Sequence, residues 1–165
     1  PPSTDNLHYE AELVIALKGA GANLATRHDA GALIFGSAAG CDLTRRNLQA
    51  AAKKSGGPWD AAKAFDHSAP VGLIAPIDVL RPELFDDAKI ALFVNEAEKQ
   101  SATLRSMIFT VPEILIALSR LFELRPGDLV FTGTPDGVGP LLRGDRVRVE
   151  IGPLPPLEFS IAEGA

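Results

Sequence analysis

The sequence predicts an α+β domain in which strands dominate and a few short helices connect them. Short apolar runs that end at glycine or proline recur along the chain, a pattern typical of β-rich proteins. One segment carries a helix-capping pattern, and the length of 165 residues suits one hydrophobic core. We therefore expect residues 1–165 to form a single domain.

The first half of the chain is predicted to alternate strands with helices. Residues 1–8 are interpreted as a loop, and Tyr9–Leu17 as a strand that enters the core. A glycine-rich turn is expected at Lys18–Asn23. Ala30–Cys41 predicts a short helix followed by a buried strand, and Thr44–Lys54, which lacks glycine and proline, predicts a second helix.

The second half is predicted to be richer in strands. Strands are expected at Val71–Ala75, Lys89–Val94, Leu129–Thr132 and Arg146–Ile151. Alternation in the last of these places its apolar residues on one face. The segment Thr110-Val-Pro-Glu113 has the pattern of a capping box with proline in the first turn, which predicts a helix from there to about Phe122.

The composition argues against two classes of partner. The formal net charge of −5 disfavours general binding to nucleic acid or to an anionic membrane surface. No apolar run approaches the roughly 20 residues of a membrane-spanning helix, and no signal peptide is recognisable. The single cysteine, Cys41, is expected to pack in the core, and its lack of a disulfide partner favours the cytoplasm.

Two acidic residues in the first predicted strand are the starting point for a metal site. Glu10 and Glu12 lie two apart, so their side chains point to the same face, where two carboxylates repel unless a proton or cation lies between them. Asp42 follows a buried strand and is expected to open a helix, at a position where its side chain can meet the pair. Three carboxylates suit a hard cation. The spacing alone is also typical of the solvent-facing side of an amphipathic strand.

Four ordered sequence blocks resemble the fumarylacetoacetate hydrolase family. They are Tyr9-Glu-Ala-Glu-Leu13, Cys41-Asp-Leu-Thr-Arg-Arg-Asn-Leu-Gln49, Lys63-Ala-Phe-Asp-His-Ser-Ala-Pro70 and Gly127-Asp-Leu-Val-Phe-Thr-Gly-Thr-Pro135. The resemblance implies a mixed β-sandwich or roll, of the type of the family's C-terminal domain, and a homodimer. It also implies that Glu10, Glu12 and Asp42 bind a divalent cation, which is Mg²⁺ or Mn²⁺, with Ca²⁺ as an alternative.

The same resemblance implies which residues meet a substrate. Arg46, Gln49, Lys63 and Thr134 would surround a small oxo-acid, and Lys63 and Thr134 would take part in catalysis. Within the family, the blocks most resemble enzymes that hydrolyse fumarylpyruvate to fumarate and pyruvate in the gentisate route of aromatic breakdown. The implied activity is therefore metal-dependent hydrolysis of a carbon–carbon bond in a 2,4-dioxo acid.

Two departures from the family pattern bear on this expectation. The family usually has Val-Asn-Gly where this chain has Val94-Asn95-Glu96, so we expect an altered turn. Family hydrolases also draw a His–Glu general base from a segment upstream of the first acidic strand. We expect this segment in an N-terminal part of a longer protein.

Other activities stay open at this stage. An isomerase, a decarboxylase or an acylpyruvase that acts on a related oxo-acid would use the same metal ligands. A second alternative is a non-catalytic domain that a bound cation stabilises.

Overall fold

The computed structural model describes residues 1–77 and 87–162, and strands form most of its regular structure. The strands are β1 Leu7–Tyr9, β2 Ala11–Leu17, β3 Ile34–Cys41, β4 Thr44–Arg45, β5 Ala75–Pro76, β6 Lys89–Val94, β7 Ala97–Thr103, β8 Leu129–Phe131, β9 Gly139–Leu141, β10 Arg146–Ile151 and β11 Leu157–Ser160. The helices are α1 Arg27–Ala32, α2 Arg46–Ser55, α3 Asp60–Lys63 and α4 Val111–Ser119, and a 3₁₀ turn spans Leu104–Ser106. The predicted β-rich α+β class is confirmed.

The strands form antiparallel sheets with the orders β5-β3-β2-β8, β11-β10-β6-β7 and β4-β1-β9. The two four-stranded sheets pack face to face, because Leu13 and Ile15 of β2 share one core with Leu92 of β6 and Val149 of β10. This packing is the expected sandwich, and its buried centre carries β2, the strand that holds Glu12. The apolar residues of β10 lie on one buried face, as alternation predicts.

Two predicted boundaries near the acidic residues are wrong. Leu7 and His8, predicted as loop, belong with Tyr9 to strand β1, because this segment pairs with β4 on one side and β9 on the other. The helix predicted from Thr44 begins at Arg46, since Thr44 and its neighbour pair with β1. Both errors arise from pairing between distant segments, which local sequence patterns do not encode.

The remaining predictions differ less from the structure. Lys89–Val94 and Arg146–Ile151 are strands with the predicted bounds. The predicted strand Val71–Ala75 is reduced to an isolated bridge at Val71 and the short β5. Helix α4 has the predicted capping box, but it ends at Ser119 instead of near Phe122.

The turn between β6 and β7 is a two-residue hairpin that contains no glycine. Asn95 has φ +49° and Glu96 has φ +67°, so both occupy the left-handed region that a type I′ turn requires. Glu96 therefore adopts a conformation that costs an L-residue about 1 kcal/mol relative to glycine. In the described part of the chain, no helix is long and apolar enough to cross a membrane.

Candidate metal centre

Backbone pairing brings the three predicted acidic ligands together. Glu10 lies at the break between β1 and β2, and Glu12 lies two residues on in β2. Cys41 at the end of β3 pairs with Ala11, and the backbone N–H of Asp42 donates to the carbonyl oxygen of Glu10 at 2.8 Å. Carboxylate oxygens of Glu10, Glu12 and Asp42 consequently lie within 4.8 Å of one another.

Lys63 contacts two of these carboxylates. Its Nζ lies 2.6 Å from Glu10 Oε2, 2.5 Å from Asp42 Oδ2 and 2.7 Å from Thr44 Oγ1. All three ammonium hydrogens therefore have an acceptor. Burial lowers the pKa of Lys63, but the hydrogen bonds to Asp42 and Glu10 outweigh this effect and raise it overall. Lys63 is accordingly a fixed positive charge at the edge of the cluster.

Arg46 supplies the second positive charge. Its Nη2 donates to Glu10 Oε1 at 2.7 Å, and its Nη1 donates to Gln49 Oε1 at 2.6 Å. Arg46 and Gln49 are three residues apart in α2, so they share one face of the helix. The expectation that Asp42 opens this helix is wrong, because β4 separates Asp42 from its first residue.

The two glutamates differ in electrostatic environment despite their proximity. Burial raises the pKa of Glu10, but the hydrogen bonds from Lys63 and Arg46 outweigh it and hold this pKa below the usual range. Burial also raises the pKa of Glu12, where only the Gly133 N–H hydrogen bond and the charge of Lys63 oppose it, and this pKa is about 7. Glu12 is thus the carboxylate whose negative charge is least compensated by the protein.

Thr134 lies in the loop that follows β8 and does not contact the carboxylates directly. The preceding residue makes the connection, since the N–H of Gly133 donates to Glu12 Oε2 at 2.6 Å. Thr134 Oγ1 accepts a hydrogen bond from Gln100 Nε2 at 2.9 Å. A cavity of about 700 Å³ lies against the same loop, and its lining includes Thr134 but none of the three acidic residues.

The predicted place of Cys41 in the core is confirmed. It is fully buried beside the acidic residues, and burial raises the pKa of its thiol to about 12. A thiol with this pKa stays protonated near neutral pH, so Cys41 is not a nucleophile in this structure.

Three groups of the site are not among the residues predicted from the sequence. Thr44 accepts from Lys63, the Gly133 N–H contacts Glu12, and Gln100 binds the Thr134 loop. Thr44 lies within a block already noted, so its proximity to Asp42 was the available signal. Gly133 likewise lies within the fourth block, although its contact with Glu12 and the contact of Gln100 with the Thr134 loop join residues far apart in sequence.

Residues 1–162 match the protein family described as fumarylacetoacetate (FAA) hydrolase, C-terminal. The chain belongs to the fumarylacetoacetate hydrolase family. The predicted family is thereby confirmed, and its C-terminal domain fold agrees with the β-rich sandwich described above.

Members of the fumarylacetoacetate hydrolase family with named activities resemble the chain closely. It is 42% identical over 152 residues to a fumarylpyruvate hydrolase from a Ralstonia species, a match of 91% of this chain and 77% of the relative. It is 37% identical over 149 residues to an oxaloacetate tautomerase from Escherichia coli, covering 90% of this chain and 67% of the relative.

A solved structure of another protein is similar to this chain in both fold and sequence. The fumarylpyruvate hydrolase from Pseudomonas aeruginosa, in complex with Mn²⁺ and pyruvate, superposes with a TM-score of 0.93 and 41% identity. The match covers 99% of this chain and 69% of the other. These relatives favour an enzyme over a non-catalytic domain.

Proposed function

We propose that this domain hydrolyses a carbon–carbon bond in a 2,4-dioxo acid of the fumarylpyruvate type, with a divalent cation as cofactor. The observation that carries the proposal is the convergence of Glu10, Glu12 and Asp42 beside Lys63. Identity of 42% to a fumarylpyruvate hydrolase supports the choice of substrate.

The donor chemistry of the cluster fits Mg²⁺ or Mn²⁺. Both ions prefer oxygen ligands, and Glu10, Glu12 and Asp42 supply carboxylate oxygens within 4.8 Å of one another. Ca²⁺ binds the same donor type and is the alternative. When bound, the cation would supply Lewis-acid polarisation of the oxo-acid and stabilise developing negative charge.

The positive side chains of the site have two tasks in this proposal. They hold the carboxylates in place, since Lys63 binds Glu10 and Asp42 while Arg46 binds Glu10. They also offset negative charge on a bound dicarboxylate substrate. Because every hydrogen of the Lys63 ammonium already has an acceptor, direct contact with substrate requires the exchange of one of them.

The proposed reaction adds water to the 4-carbonyl of the substrate. The bond between carbons 3 and 4 then breaks, and its electron pair leaves with the pyruvate half, which takes up a proton. Fumarylpyruvate and water would thus give fumarate and pyruvate. The general base stays a prediction, and we expect it in an upstream segment of the full protein.

Pyruvate release from fumarylpyruvate, coupled to NADH oxidation by lactate dehydrogenase, tests the proposal. The full-length protein with Mg²⁺ or Mn²⁺ should release one pyruvate per fumarylpyruvate, and the Glu12→Ala variant should release none. Thr132→Val is a matched control, since this hydroxyl donates to the Leu13 carbonyl oxygen within the fold. Absence of pyruvate from both fumarylpyruvate and acetylpyruvate would contradict the proposal.

Oxaloacetate tautomerisation is the second candidate. It is favoured by 37% identity to the Escherichia coli enzyme and 35% identity to an Arabidopsis thaliana oxaloacetate tautomerase. The ultraviolet absorbance of enol-oxaloacetate follows this reaction without bond cleavage. Accelerated loss of the enol signal without pyruvate formation from fumarylpyruvate would select tautomerisation over hydrolysis.

The predicted homodimer, the cytoplasmic location and a role in gentisate breakdown belong to the same proposal. Light scattering coupled to size-exclusion chromatography tests the oligomeric state. A mass of one protomer over micromolar concentrations would contradict the homodimer.

A further inference from the structure

Gln100 is a buried polar residue in a strand whose other side chains are more exposed. Strand β7 has one fully buried position, and Gln100 occupies it with 1% of its surface exposed. A buried amide is costly unless its polar atoms are hydrogen-bonded. The place of Gln100 in the fold therefore depends on what its amide contacts.

Two hydrogen bonds to backbone groups fix the orientation of the Gln100 amide. Its Oε1 accepts from the backbone N–H of Ala11 at 2.9 Å, so this atom must be the oxygen. Its Nε2 donates to the carbonyl oxygen of Pro135 at 2.9 Å, which requires the nitrogen on the other side. The two contacts agree independently. In a flipped amide, Nε2 would face the N–H of Ala11, donor against donor, and Oε1 would face the carbonyl oxygen of Pro135, acceptor against acceptor.

The fixed amide determines the role of the Thr134 hydroxyl. The second hydrogen of Gln100 Nε2 points to Thr134 Oγ1 at 2.9 Å, so this oxygen acts as an acceptor. The proton of the hydroxyl is not used in this contact and remains available to a third group. Gln100 thereby sets Thr134 as a hydrogen-bond donor.

Close backbone packing keeps the loop against β7. Gly137 has φ +98°, and a Cβ added there would lie 2.5 Å from the carbonyl oxygen of Lys99. The loop therefore approaches the strand at the residue next to Gln100. At the other end of the Gln100 amide, Oε1 contacts Ala11, which lies between Glu10 and Glu12 in the sequence.

We propose that Gln100 is a positioning residue that holds the Thr134 hydroxyl as a donor toward an oxygen of the oxo-acid. It can do so because its amide joins β7 to the Thr134 loop and to the start of β2. This inference rests on the proposed function for the class of ligand. The inference goes beyond the proposed function because it says that Gln100, which does not touch the ligand, determines whether the Thr134 hydroxyl donates or accepts a hydrogen bond.

The test measures pyruvate affinity of the Mn²⁺-loaded full-length protein by calorimetry in a double-mutant cycle. In Gln100→Glu, a carboxylate oxygen replaces the Nε2 donor and accepts the Thr134 proton, so the hydroxyl no longer donates to ligand. Loss of a hydrogen bond to a charged group predicts a rise in the pyruvate Kd of about tenfold or more. The Kd for Mn²⁺ should change less than about threefold.

The Thr134→Val background separates positioning from a purely structural role. There the hydroxyl is absent, so adding Gln100→Glu should change the pyruvate Kd by less than about threefold. An equal loss of affinity in both backgrounds would overturn the proposal. Thr132→Val serves as control, because its hydroxyl already donates to the Leu13 carbonyl oxygen at 2.9 Å.

Two further measurements keep the test decisive. If Gln100→Glu fails to fold, the same cycle with Gln100→Met applies, and a loss that disappears with Thr134→Val again supports the proposal. Pyruvate binding without turnover of fumarylpyruvate would refute the proposed reaction while the cycle still decides the role of Gln100. Absence of pyruvate binding by the loaded wild-type protein would overturn the inference itself.

Discussion

Replacing Glu12 by glutamine is expected to stabilise the metal-free protein at pH 8. Burial, together with the charges of Asp42 and Glu10, raises the pKa of Glu12 from 4.5 to about 7 against the opposing Gly133 hydrogen bond. Between these pH values the folded protein holds a proton that the unfolded chain has released. The free energy of unfolding therefore falls as the pH rises through this window.

The size of the effect follows from the pKa shift. A rise of the pKa from 4.5 to about 7 corresponds to about 3 kcal/mol above pH 7. At pH 5, which lies just above the ordinary pKa of 4.5, the unfolded chain has gained little free energy from ionisation, so the expected gain is below about 1 kcal/mol. The amide oxygen in Glu12→Gln can still accept the Gly133 N–H, so the substitution removes the charge and keeps this contact.

The assay is urea unfolding of wild type and Glu12→Gln in EDTA at pH 5 and pH 8, repeated with Mn²⁺. Mn²⁺ should stabilise the wild type at pH 8 and the variant much less, because one ligand charge is missing. Glu10→Gln is the matched control. It should lower the free energy of unfolding, because it weakens the contacts with Lys63 and Arg46. Equal or lower stability of metal-free Glu12→Gln at pH 8 would refute the reasoning.

Three other substitutions test separate parts of the structure. Lys63→Met should lower kcat for fumarylpyruvate by at least about a hundredfold, because it removes the positive charge beside Glu10 and Asp42; near-normal kcat would contradict this role. Glu96→Gly should raise the free energy of unfolding by about 1 kcal/mol by relieving the left-handed strain, whereas Glu96→Ala, which keeps that strain, should show no gain in the same urea experiment. Thr110→Ala should cost about 1 kcal/mol in thermal or urea unfolding through loss of the α4 capping box, and an unchanged stability would argue against that cap.

The fold was predictable where local pattern and tertiary structure agree. Lys89–Val94 and Arg146–Ile151 have apolar residues that face one core, and both strands have their predicted bounds. The capping box at Thr110 likewise begins a helix where the sequence indicates one. Strands such as β7 and β9 were missed because Ala97–Thr103 is largely exposed and Gly139–Leu141 is short, so neither carries an apolar alternation.

The site was predictable in its residues but not in its connections. Spacing and resemblance point to Glu10, Glu12 and Asp42, and the structure brings their carboxylate oxygens within 4.8 Å of one another. Lys63 and Arg46 decide which carboxylate has its charge compensated by the protein, and both form ion pairs with Glu10 rather than with Glu12. This asymmetry leaves one buried carboxylate with a pKa of about 7. A cation that binds there replaces a proton, so metal affinity should fall as the pH drops below about 7, a property no spacing rule reveals.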